Sequence, residues 1–300
     1  MLYVSGLELS PFAFTAVAAV SSLGAGMLCF FLRAPARKVG LVARRRRDRF
    51  GTGDIPLVGG IAVAGGIALA MLALRPEEAL RPLAAAALFF AVGLADDWYE
   101  LKPASKFAGQ AVAGLIAAQL LVTGWGHVGL ATFVLLLLVN ASNYIDNMDA
   151  LLPGVALTQA LMLLLAPPGD NLGGALILWA LPGVLFATLP PARVYLGDSG
   201  SHLVGALLGI HAISILVDPI TGVRADRALA LLLIFAVPLA DVATVTISRK
   251  RRGRPILRGG TDHLSHRLCR NGMSVPGAVG LLVLASAVCG IASLFLLYSS

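Results

Sequence analysis

The sequence predicts an all-α protein, a polytopic membrane bundle of about ten transmembrane helices in a single domain over residues 1–300, and three observations carry that expectation. Hydrophobic residues make up 58% of the chain and charged residues 13%, with a mean hydropathy of +0.85. A soluble α/β protein of this length is far less apolar. Apolar runs recur from end to end, and because lipid offers backbone polar groups no partner, a run of ~20 such residues spans as a helix. Lysine and arginine, finally, gather in alternate loops.

Taken in order, spans are expected near residues 12–32, 57–74, 82–95, 107–123, 127–139, 150–166, 172–189, 201–217, 228–247 and 275–298. The first is followed by a basic stretch and lacks a small-residue cleavage site, so it reads as a span rather than a signal peptide. Several runs are rich in Gly and Ala, which suits close helix packing. The third and fifth runs are the shortest. In the ninth, Pro238 breaks or kinks the helix, and the freed backbone groups are candidates for what Asp241 meets. Cys29 and Cys289 lie within apolar runs and Cys269 beside basic residues, which describes neither a disulfide framework nor a metal motif. No internal repeat is evident.

With the N-terminus outside, 19 of the 23 Lys and Arg fall on one face: Arg33 to Arg49, Lys102, Lys106, Arg193, and Arg249 to Arg270. The positive-inside rule makes that face cytoplasmic. The net charge of +7 is then accounted for by topology, by anionic headgroups or by a polyphosphate substrate, and nucleic acid is not needed.

The acids collect on the same face, where ionisable groups at a membrane edge mark sites. LADDWYELKPASK sets Asp96 beside Asp97, with Lys106 close behind. Adjacent carboxylates point in different directions, so one can ligate a hard cation while the other handles a proton. NASNYIDNMDALLPG repeats Asn140, Asn143, Asp146 and Asp149 at every third residue. A helix turns ~100° per residue, so third positions drift by ~60°, and the four converge only where the segment is 3₁₀-like or breaks into a loop. RVYLGDSGSHLVGA places Asp198 between glycines at a helix start, where free N–H groups suit an anion. GRPILRGGTDHLSHRL supplies His263 and His266 with Arg258 and Arg267, a set better matched to phosphate than to zinc.

These segments, with RKVGLVARRRRDRFGTGDIPLVGGIAV ahead of them, resemble in order one family: the polyprenyl-phosphate N-acetylhexosamine-1-phosphate transferases of glycosyltransferase 4 type. The likeness is closer to the undecaprenyl-phosphate GlcNAc-1-phosphate branch than to the phospho-MurNAc-pentapeptide branch. It implies an active site in cytoplasmic loops of a bacterial inner-membrane protein. It also implies transfer of sugar 1-phosphate from a UDP-N-acetylhexosamine to polyprenyl phosphate, releasing UMP, at the start of envelope glycan synthesis such as O-antigen or teichoic acid. The cofactor implied is Mg²⁺, with Mn²⁺ as a substitute, and a second copy of the chain is a candidate partner.

By the same resemblance, Asp198 binds the metal, Asp97 assists it, and Asp96 deprotonates or orients the lipid phosphate. Asn140, Asn143, Asp146 and Asp149 hold the nucleotide and sugar side with Lys106, and His263, His266 and Arg267 meet the pyrophosphate or sugar. His263 counts with Asp96, Asp97 and Asp198 as catalytic.

The chain departs from the family pattern D-G-x-D-G-L at Asn147 and Ala150, both glycine there. Ala is the less suited of the two to φ > 0. Two other classes compete. GDSG also fits a rhomboid-type serine protease with Ser199 as nucleophile and His202 or His211 as base, and intramembrane acids suit a lipid or ion transporter.

Overall fold

The computed structural model describes residues 2–4, 6–43, 54–74, 77–166, 171–218, 222–255 and 260–299. Of the basic positions expected in loops, Arg44 to Arg47, Arg49, Arg75 and Arg258 lie outside the described residues.

A short hairpin, β1 (Leu2–Val4) with β2 (Leu7–Leu9), leads into α1 (Pro11–Val39). The Ser10 hydroxyl accepts the Ala13 N–H at 3.1 Å and Pro11 occupies the first turn, so the start of α1 is written locally. Gly40, at φ 78°, ends it with a left-handed residue. Strands β3 (Val42–Ala43) and β4 (Ile55–Pro56) pair antiparallel ahead of α2 (Gly59–Leu74). A 3₁₀ turn at Glu77–Ala79 opens α3 (Leu80–Tyr99), and α4 (Pro103–Leu121), α5 (Trp125–Ile145), α6 (Leu151–Leu165), α7 (Leu172–Thr188) and α8 (Gly197–Leu216) follow. The small pair β5 (Val217–Asp218) and β6 (Gly222–Val223) precedes α9 (Ala225–Ile234), α10 (Ala236–Arg251), the short α11 (Leu264–Arg270) and α12 (Val275–Ser299).

All ten expected spans fall on helices, the ninth divided between α9 and α10, which meet at 77°. The number long and apolar enough to cross a membrane is lower than ten: five among the described residues, or six with the bent pair as one. Helices α2, α6 and α7 have 16, 15 and 17 residues, short of the ~20 that the hydrocarbon core asks of a straight span. Glycine and alanine recur in α2 and α7, leucine in α6, and most of the residues of all three are buried or half-buried within the bundle. The two shortest expected runs belong to longer helices, for α3 continues through Asp96 and Asp97 and α5 through Asn140 and Asn143. These polar residues thus stand on final helical turns.

Helix α8 is the centre of the bundle and is buried over 94% of its apolar window. A Cβ on Gly93 of α3 would lie 2.3 Å from the Asp198 carbonyl oxygen, and one on Gly60 of α2 would lie 2.3 Å from the Gly200 nitrogen. Only glycine lets three backbones approach this closely. That approach sets the last turn of α3 against the first turn of α8.

Candidate active site

The two adjacent aspartates on α3 have separate partners. Asp97 turns onto the start of α8: its Oδ1 accepts the Asp198 N–H at 2.7 Å and its Oδ2 the Ser199 N–H at 2.9 Å. A carboxylate there satisfies two of the N–H groups that a helix start leaves unbonded and complements the helix dipole. Gly197, at φ 73°, makes the turn that presents them, and a Cβ there would stand 2.7 Å from the Asp97 carboxylate. Asp96 instead closes the end of α3, accepting the Leu101 N–H at 2.7 Å through Oδ1, and pairs with Lys106 Nζ at 3.0 Å through Oδ2.

Lys106, in the first turns of α4, bridges Asp96 and Asp198, its ammonium 2.5 Å from Asp198 Oδ2. On the other oxygen, Asn143 of α5 donates to Asp198 Oδ1 at 2.7 Å and also to Ser201 Oγ at 3.0 Å. Helices α4 and α5 therefore place an ammonium and an amide on one carboxylate of α8, and α3 brings Asp96 to the same ammonium. Both of its oxygens are thus held by donors, and the side chain lacks the mobility of a solvated one.

Behind this cluster runs a buried relay. Asn140 donates to Gln110 Oε1 at 3.0 Å, Gln110 Nε2 meets His202 Nε2 at 2.5 Å, and His202 Nδ1 meets the Asp198 carbonyl oxygen. A carbonyl only accepts, so Nδ1 carries the proton and Nε2 accepts from Gln110. Sequence reasoning missed Gln110 and considered His202 only as the base of a serine protease. Each lies four residues after a residue it did select, Lys106 and Asp198, and so on the same helical face.

The four polar residues of the Asn–Asp block diverge. The backbone stays helical to Ile145 and then turns through 146–150. Asn140 thus belongs to the relay and Asn143 to Asp198, while Asp146 sits at the end of α5. Asp149 Oδ2 accepts the Ala192 N–H at 3.0 Å, pinning the connection between α7 and α8. Burial raises the pKa of Asp149 above the ordinary carboxylate value, and the Ala192 N–H pulls the other way. Ala150 adopts φ 60°, the conformation expected to disfavour alanine.

Histidine side chains arrive from α11. Asp241 of α10, 2% exposed, accepts from His263 Nδ1 at 2.7 Å and from the Leu264 N–H at 2.7 Å. Its partners are thus the histidine loop and not the backbone freed by Pro238. The Tyr144 and His263 rings meet edge-on with centroids 5.8 Å apart, and His263 and His266 lie 5.7 Å apart. Arg267 Nε donates to the Asp262 carbonyl oxygen at 2.9 Å, and the Asp262 carboxylate pairs with Arg249 at 3.4 Å and Arg252 at 3.2 Å. Asn147 joins this loop to the Asn–Asp block, its Oδ1 accepting from Ser265 Oγ at 2.5 Å.

The serine-protease reading is not supported. Ser199 is fully buried, with Gly60 so close that a Cβ there would lie 2.5 Å from its hydroxyl. His202 is engaged in the relay, and His211 Nδ1 accepts the Gly174 N–H at 3.1 Å.

Among the described residues, no three His, Cys, Asp or Glu side chains form a ready-made metal cage. Asp96 and Asp198 nonetheless direct hard oxygens at one cation, the Lys106 ammonium. Magnesium needs only one or two carboxylates where substrate phosphate and water supply its other ligands, so the donor set fits it.

Comparison with known proteins places the chain in a family. Residues 79–216 match glycosyl transferase family 4, a stretch that includes the aspartate pair, the Asn–Asp block and Asp198. A Streptomyces coelicolor protein named provisionally as a glycosyltransferase is 34% identical, the alignment covering 93% of this chain and 69% of that protein. The decaprenyl-phosphate N-acetylglucosaminephosphotransferase of Mycolicibacterium smegmatis is 31% identical over 89% of this chain and 79% of its own length. The undecaprenyl-phosphate alpha-N-acetylglucosaminyl 1-phosphate transferase of Yersinia pestis is 30% identical, over 86% of this chain and 78% of the relative. The transporter reading finds no support among these relatives, and the chain belongs to glycosyl transferase family 4.

Proposed function

We propose that this membrane protein transfers N-acetylhexosamine 1-phosphate from a UDP-sugar to a polyprenyl phosphate and releases UMP. The observation that carries the reading is the convergence of Asp96, Lys106 and Asn143 on Asp198 at the α3–α8 junction. The names of the Mycolicibacterium and Yersinia relatives support it. The reaction runs on the cytoplasmic face of the bacterial inner membrane, with the N-terminus outside.

An oxygen of the lipid phosphate attacks the phosphorus that bears the sugar. The bond from that phosphorus to the bridging oxygen breaks, and UMP leaves with the bridging oxygen. Such transfers depend on positioning and charge neutralisation more than on covalent machinery. Asp96 orients the lipid phosphate or takes its proton, and Lys106 offsets the charge of the reacting phosphates. Asp198, fixed by Asn143 and by the relay through His202, would hold the metal; Asp97, which the family resemblance assigns to assist it, has both oxygens on the first turn of α8 and would do so by anchoring that turn, so that Asp96 would be the second ligand. Mg²⁺, for which Mn²⁺ can substitute, neutralises the diphosphate when bound. Asn143, Asp146 and Asp149 line the nucleotide-sugar side, and His263, His266 and Arg267 face the pyrophosphate or sugar.

The test is UMP release from UDP-N-acetylhexosamines by purified protein with undecaprenyl phosphate, with and without magnesium. Metal-dependent release is the expected result. No release from any such donor overturns the proposal.

A further inference from the structure

We propose that the hydrogen bond between Asn147 and Ser265 is a positioning latch that sets the affinity of this enzyme for its nucleotide-sugar donor. The inference rests on the function proposed above, in which the Asn–Asp block and the histidine loop flank the donor. It concerns a residue, Asn147, where the resembled family pattern carries glycine.

Ser265 is 1% exposed, and its hydroxyl donates to Asn147 Oδ1 at 2.5 Å across 118 residues of sequence. Asn147 is itself held, since its Nδ2 donates to the Tyr144 carbonyl oxygen at 2.7 Å. The amide therefore has a fixed orientation, with the nitrogen committed to the end of α5 and the oxygen turned toward α11. A glycine at 147 has neither group. Next to it in the loop, Asp241 holds His263 Nδ1 and the Leu264 N–H, two residues and one residue before Ser265, and Arg249 and Arg252 hold Asp262. Consecutive residues 263, 264 and 265 are thus bonded from two sides, by α10 and by the α5–α6 turn. His266 follows directly, its Nδ1 3.4 Å from the Ser265 hydroxyl.

A loop tied at both sides before ligand arrives loses less freedom on binding than one tied at a single side. The latch acts between two donor-side segments and touches none of Asp96, Asp97, Lys106 or Asp198 in the described hydrogen bonds. Its effect should therefore fall on donor KM more than on kcat, and spare the lipid.

The experiment compares Asn147→Gly, Ser265→Ala, the double variant and Ser265→Thr in detergent. Donor KM should rise roughly threefold to tenfold in each of the first two, the range spanned by one buried neutral hydrogen bond. The double variant should be no worse than either single one, because both remove the same bond. Ser265→Thr keeps a hydroxyl and should recover most of the donor affinity. A multiplicative double variant, or an equal rise in lipid KM, overturns the proposal. Amide hydrogen exchange over residues 262–270 without substrate reads the latch separately, and it should quicken in Asn147→Gly and Ser265→Ala. Unchanged exchange overturns the latch even in an active enzyme. Quickened exchange in the two variants, with no UMP release by the wild-type protein, would instead overturn the reaction and leave the latch standing.

Discussion

The side-chain amide of Gln159 on α6 donates to the backbone carbonyl of Ile234, 3.3 Å away, at the bend between α9 and α10. Pro238, four residues after Ile234, has no N–H to give that carbonyl, and the site is buried, with Gln159 2% and Ile234 1% exposed. The proline breaks the helix and a neighbouring helix repairs its hydrogen bonding.

Gln159→Leu leaves that carbonyl buried without its partner, which costs about 1–3 kcal/mol. A lowered unfolding midpoint in detergent, with donor and lipid KM little changed, is the expected outcome. An unchanged midpoint would mean that the bend needs no help from α6.

Ala150 provides the opposite case. Its left-handed backbone, φ 60°, is a conformation that costs a non-glycine residue about 1–2 kcal/mol. Ala150→Gly relieves it but loosens the unfolded chain, so the net gain should be roughly 0.5–1 kcal/mol. Thermal unfolding checks the sign, and a loss of stability would show that packing of the buried methyl outweighs the strain.

Asp198→Asn should abolish turnover, and added magnesium should not restore it. Lys106→Met should lower kcat by at least about 100-fold, since it removes the cation between Asp96 and Asp198 at a site where charge stabilisation of that order is at stake. Single-turnover UMP release measures both. Near-normal rates in Lys106→Met would remove the lysine from the chemistry.

Asp149 makes a prediction with a sign in pH. Its raised folded-state pKa means that the folded protein holds this proton more tightly than the unfolded chain. The stabilisation linked to that proton is fully present below the unfolded carboxylate pKa, ~3.9, and is lost as pH rises through the folded value. Wild-type stability relative to Asp149→Asn should therefore increase as pH falls through that window. Asp149→Ala, which leaves the Ala192 N–H without its acceptor, should be the least stable of the three and should weaken UDP-sugar binding more than lipid binding.

The sequence by itself determined the class of the fold and singled out most of the polar residues that gather at the α3–α8 junction, Gln110 excepted. Apolar runs of span length leave helices as the solution in lipid, and acids and amides can gather beside such runs only where the polypeptide leaves the membrane or enters a site. The family likeness and the special position of Ala150 were legible for the same local reasons. Tertiary structure decided which partner each group meets. Asp96 and Asp97 are adjacent in sequence, yet one faces Lys106 and the other caps α8, because consecutive helical residues point ~100° apart and the close approach at Gly93 brings α8 to one of them. Asn140, Asn143 and Asp149 have three destinations, Gln110, Asp198 and Ala192, since third positions on α5 drift by ~60° and the regular helix ends at Ile145, before Asp149. Sequence periodicity reports the face on which a side chain leaves its own helix. The bonds Asn147 makes with Ser265 and Gln159 with Ile234 depend on which other helix stands opposite, and that is set by packing across the whole bundle.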